Sequence, residues 1–160
     1  MERRILLIAA LALLPPAMRA AGDGPIDRAT LAGLKEVGVV VDTLDPDLER
    51  QGVTRDLVLS RLLARVQNDH IAVNPAAAEF LGLRINAVRA GRGPYAVSVT
   101  LSLYQPVLLV RNRDVKTSTQ TWEVESVLLA DPKVLLTACY DTAENLADRF
   151  AAAWRSVNPE

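Results

Sequence analysis

From Tyr95 to Tyr104 apolar side chains take every second place. Tyr95, Val97, Val99, Leu101 and Leu103 alternate with Ala96, Ser98, Thr100, Ser102 and Tyr104. A period of two held this long describes a strand with one dry face and one wet face. Such a strand needs a packing layer over its dry face, which commits the chain to a sheet with helices or a second sheet against it.

The segment after it sharpens the picture. Gln105-Pro106 interrupts the pattern, and because proline cannot donate to a ladder the point must be a bulge, a bend or an edge. Val107, Leu108, Leu109 and Val110 are then apolar on both faces. Arg111-Asn112-Arg113-Asp114-Val115-Lys116 reads as a charged reversal. The chain returns as Thr117 to Leu129, with Thr119, Thr121, Glu123 and Glu125 wet and Trp122, Val124 and Leu128 dry. Two long antiparallel strands joined by a charged turn account for the whole stretch.

Other elements follow from local signals. Val37 to Val41 is rich in β-branched residues and stops at Asp45-Pro46-Asp47, as a strand does. Thr54 is a candidate N-cap, and Leu59, Leu62, Leu63 and Val66 recur at helical spacing to about Asn68. Ala76 to Leu81 suits one or two helical turns, and Leu83 to Arg89 alternates as a further strand. Ala90 to Pro94 is a turn. Asp131-Pro132 suits the start of a last helix striped by Leu135, Ala138, Cys139, Thr142, Leu146, Phe150 and Val157, with Trp154 one turn after Phe150. The expected fold is α+β: a mainly antiparallel sheet of four to five strands with two helices packed on one face.

The N-terminus addresses the chain. Met1-Glu2-Arg3-Arg4 is basic, Ile5 to Leu14 is unbroken apolar sequence, and Pro15-Pro16 leads into small residues. That order is a secretory signal peptide over residues 1–20, with cleavage after Ala20 or Ala21. About ten apolar residues fall short of the roughly 20 that cross a membrane. Residues 21–30 then read as a flexible leader and 31–158 as one α+β domain. The expected location is periplasmic or secreted.

Charge and rare residues exclude several functions. The full chain carries −1, and without residues 1–20 it carries −3, which gives no electrostatic basis for wrapping nucleic acid. Cys139 is the single cysteine and His70 the single histidine, so neither an internal disulfide nor a multi-cysteine zinc site exists, and no cofactor or metal is expected. Cys139, flanked by Leu135, Leu136, Ala138 and Tyr140, reads as a core thiol. Asp42, Asp45 and Asp47 lack the spacing of a calcium loop and read as a strand-end turn. Gly91-Arg92-Gly93 lacks the continuation of a phosphate loop.

The candidate binding residues are Val107, Leu108, Leu109, Val110, Arg111, Arg113 and Lys116. Leu108 and Val110 fall on the wet side if the strand continues flat, and burying each contributes roughly 1.5–3 kcal/mol. A loop of the same chain, a second copy or a partner protein should cover them. The basic residues also suit contact with an anionic membrane surface. A second reading makes the chain a carrier of a small apolar ligand between sheet and helices, with Trp122, Phe150 and Trp154 lining the pocket. A hydrolase built around His70 is the third.

A family pattern runs through these segments. It comprises L-x-x-L-L at Leu59 to Leu63, L-S-L-Y-Q-P-V at Leu101 to Val107 and T-x-T-W at Thr119 to Trp122, with D-R-F-x-x-x-W-x-x-x-N-P at Asp148 to Pro159. The chain resembles a recurrent type of small exported bacterial protein of unassigned function, chiefly over Tyr95 to Pro159. Its architecture is also similar to periplasmic α+β modules of envelope assembly factors such as the N-terminal domain of TolB. The resemblance implies an envelope binding or assembly module and brings no catalytic residues to carry over.

Overall fold

The computed structural model describes residues 22–89 and 91–159, so the export signal and its cleavage point lie outside the described residues. In chain order the elements are α1 (Pro25–Ala29), β1 (Glu36–Val41), α2 (Pro46–Arg50), α3 (Arg55–Asn68), β2 (Ala72–Val73), β3 (Phe80–Arg89), β4 (Tyr95–Leu109), β5 (Asn112–Ala130) and α4 (Leu135–Val157). The five strands form one sheet in the order β2-β1-β3-β4-β5. The fold is α+β, as expected. The sheet is mixed, because β1 runs parallel to both β2 and β3 while β3, β4 and β5 are antiparallel.

α3 and α4 pack on one face, and the alternation of β4 aims that face. Tyr95, Val97, Val99, Leu101 and Leu103 are all buried, facing Val58, Leu62 and Val66 of α3 and Leu135, Cys139, Leu146 and Phe150 of α4. Leu62 and Val66 of the α3 stripe are buried as expected, while Val58 is buried in place of Leu59, which only packs against the core, and Leu63 is half-buried. The two helices are tied together by Glu144, which accepts from Arg61 (2.7 Å) and Arg65 (3.3 Å). Arg61 also lies over the Tyr140 ring, 4.8 Å from its centre.

Four local expectations are corrected. Residues 22–30 are ordered chain in place of a flexible leader: Pro25–Ala29 is helical, Arg28 makes two 2.8 Å bonds to Asp23, and the Glu123 N–H donates to the Gly22 carbonyl. The strand-stop at Asp45-Pro46-Asp47 is itself a helix start, with the Asp45 carboxylate accepting from the Asp47 N–H at 2.7 Å and Pro46 at the first position. Ala76 to Leu81 is no helix. An Asn74 side-chain turn (Ala76 N–H to Asn74 Oδ1, 2.9 Å) leads directly into β3 at Phe80. The last helix begins at Leu135 after a turn from Asp131 to Val134, so Asp131 is no N-cap.

Candidate functional site

β3 and β4 pair from Arg89 and Tyr95 up to Phe80 and Tyr104, where β3 begins. β4 and β5 continue beyond that point. From Gln105 to Thr119 the structure is a two-stranded ribbon, here termed the arm. Pro106 belongs to β4 without a break, because the edge that faced β3 has already run out and no ladder donor is missed. A bulge stands at the root: Leu103 pairs with Trp122 and Tyr104 with Gln120, leaving Thr121 extra on β5.

Thr121 is also the anchor. Its hydroxyl donates to Gln105 Oε1 at 2.6 Å, the Gln105 amide donates to the Thr30 carbonyl at 3.3 Å, and the Thr30 hydroxyl lies 3.4 Å from the Thr121 carbonyl. The end of α1 therefore holds both strands where they leave the sheet.

The candidate binding residues all lie on the arm, with one correction. The reversal is the two-residue turn Val110-Arg111, not Arg111 to Lys116, because Leu109 already pairs with Asn112. Arg113 and Lys116 stand on β5, and a slip between Leu108 and Leu109 absorbs residues 113–115. Charge clustering misplaced the turn, since a ribbon solvated on both faces carries polar residues within its strands. Leu108 is 57% exposed and Val110 92%. Among the described residues no element covers either side chain. Val107 and Leu109 are half-buried, and Arg111, Arg113 and Lys116 are exposed.

The three aromatics of the carrier reading have different surroundings. Trp122 and Phe150 meet edge to face inside the core, 5.4 Å between centres, and the Trp122 indole N–H donates to Asp23 at 2.9 Å. Burial pushes the Asp23 carboxyl up, but its bonds to Arg28 and Trp122 outweigh this and hold it below its ordinary range. Trp154 is half-buried, donates to the Leu34 carbonyl at 2.8 Å, and lines a groove with Asn68, Asp69, His70 and Arg155. In that groove Asp69 is held by Arg155. His70 stands there with φ at +61°, a left-handed residue closing α3 where glycine or asparagine is usual.

The acidic turn has structural work: Asp42 pairs with Arg84 at 2.9 Å, Asp45 caps α2, and Asp47 pairs with Arg50. Among the described residues no group of three or more His, Cys, Asp or Glu is placed to hold a metal ion, and no helix is long and apolar enough to cross a membrane.

Cys139 is fully buried, and burial pushes its thiol up to about 11 from 9.0. Because the folded pKa is raised, the neutral thiol's contribution is whole below pH 9 and disappears as pH rises toward 11. That contribution is roughly 2–3 kcal/mol. Urea unfolding at pH 8 and pH 11 should show a steeper loss for the wild type than for Cys139→Ala. Equal losses would refute the assignment.

One surface is only faintly marked in the sequence. On the sheet face away from the helices, the Phe80 and Tyr104 rings stack at 5.0 Å, and Tyr104 covers Gly82, where a Cβ would come within 3.1 Å of the ring. The rings shield a strand glycine across strands. Glycine within a strand pattern was the available signal, but the partner ring comes from a distant segment. Beside them the Ser102 and Ser98 hydroxyls donate to Glu123 (2.9 Å) and Glu125 (2.6 Å).

No family model and no curated protein matches the chain. Among solved structures it is similar to a PelC dodecamer from Paraburkholderia phytofirmans, at 16% identity over 77% of this chain and 88% of that one, with a TM-score of 0.40. It is also similar to a minor lipoprotein from Acinetobacter baumannii, at 10% identity over 74% of this chain and 94% of that one, with a TM-score of 0.34. Likeness of this degree assigns neither a family nor an activity.

Proposed function

We propose that the protein is an exported, non-catalytic contact module of the bacterial envelope and that its β4–β5 arm is the part that binds. The observation that carries this reading is the arm itself. It leaves the sheet with its root clamped by Thr121, Gln105 and Thr30, and it presents Leu108 and Val110 uncovered among Arg111, Arg113 and Lys116. A ribbon held rigidly at its base and apolar at its end loses little freedom when a partner covers it. Burying Leu108 and Val110 would contribute roughly 1.5–3 kcal/mol each. Export and periplasmic or secreted location rest on the N-terminal signal.

The carrier reading is less favoured because Trp122 and Phe150 already fill each other's space in the core. A photo-reactive residue at Leu108 tests the arm in intact cells, with the same residue at the exposed Ala152 of α4 as control. A specific protein adduct is expected from position 108 alone. Equal labelling at both positions, or none at 108, would sink the proposal.

A further inference from the structure

We infer that the partner of the arm is a second copy of the same chain, docked on the sheet face that the helices leave open. This rests on the arm being the binding element. Residues paired across strands share a face. Val88, Ala96 and Leu129 therefore form one row of the open face, Asn86, Ser98 and Val127 the next, and Arg84, Thr100 and Glu125 a third. Val88, Val127 and Leu129 are 70–75% exposed, an apolar patch bordered by the Glu123 and Glu125 carboxylates. Leu108 continues the phase of Ser102 and Tyr104 along β4, and Lys116 pairs with it. One side of the sheet thus has an apolar, basic end and an apolar, acidic end.

Charge selects the occupant. The arm carries Arg111, Arg113 and Lys116 against Asp114 alone, while the remaining described residues hold twelve basic and sixteen acidic side chains. Among the described residues neither the arm cations nor Glu123 and Glu125 enter an ion pair. Each chain carries the arm and its complement on the same side, so an antiparallel, two-fold pairing of open faces satisfies both ends of both copies and closes without leaving a free patch. Leu108 and Thr100 lie equally far to either side of Tyr104 on β4. A two-fold axis passing beside Tyr104 therefore sets Lys116 of one copy against Glu125 of the other, because Lys116 pairs with Leu108 and Glu125 with Thr100. The same operation carries the turn that follows Leu109 toward Ser98 and its β5 partner Val127.

Sedimentation velocity on the purified protein over a concentration series reads the result. The wild type should dimerise, and the dimer should weaken as salt rises, which requires no variant. Lys116→Glu and Glu125→Lys should each weaken it by on the order of tenfold or more, and the two together should restore it. A monomer at every concentration, a dimer indifferent to salt, or a double variant worse than either single one would overturn the inference. A monomeric wild type whose residue 108 still labels another envelope protein would remove the second copy as partner and leave the arm reading standing. Binding to phosphatidylglycerol vesicles without dimerisation would also remove the second copy, in favour of a membrane surface.

Discussion

Trp122→Ala should lower the unfolding free energy by roughly 3–5 kcal/mol, the usual cost of removing a large aromatic from a closed core. The ring is 1% exposed and packs against Phe150, so its loss leaves a cavity between β5 and α4. A second effect follows from the indole N–H. It is one of the bonds that hold Asp23, and Asp23 in turn holds Arg28 of α1. The variant should therefore expose residues 22–30 to proteolysis and amide exchange while α3 and β3 remain protected. Trp122→Phe separates the two effects, since it fills most of the space and lacks the donor. The Asp23 contribution has a definite sign. Its folded pKa is lowered, so the stabilisation is present above the unfolded carboxylate value of about 3.9 and is lost as pH falls through the lower folded value. Acid unfolding should consequently be shallower in both variants than in the wild type. A loss below about 1 kcal/mol for Trp122→Ala would show that the site collapses freely and that the docking of α1 does not depend on the ring.

What the sequence disclosed about this fold depended on length. The β4 alternation runs for many residues and placed all five of its core side chains correctly. α3 and α4 span several turns, so their apolar stripes were legible to within one position. α1 and α2 have five residues each, too few for a period to show, and the Asp45-Pro46 pair that begins α2 equally ends a strand. The parallel pairing of β1 with β2 and β3 has no local signature, because it is created by the crossover through α3. The candidate site divides along the same line. Alternation alone put Leu108 and Val110 on the wet side, and both are exposed. The open-face patch was not legible, because Val88, Val127 and Leu129 come from two strands and become neighbours only through register.

Excising the arm should separate binding from folding. Gln105 and Thr119 pair directly across the root, so joining them by Asn-Gly closes a two-residue hairpin with strand-compatible twist. The excised residues 106–118 contribute no side chain to the core, and the clamp of Thr121, Gln105 and Thr30 lies outside the cut. The body should therefore unfold cooperatively in urea with a free energy within about 1 kcal/mol of the wild type, as for changes away from buried or bonded groups. Association should fall by at least about two orders of magnitude, because truncating a central apolar and basic element removes the residues that concentrate binding energy. Sedimentation and denaturation on one preparation measure both quantities. If the shortened chain assembled as the wild type does, the open face would bind without the arm. If it unfolded several kcal/mol more easily, the arm would be part of the core, and its exposed Leu108 and Val110 would need another explanation.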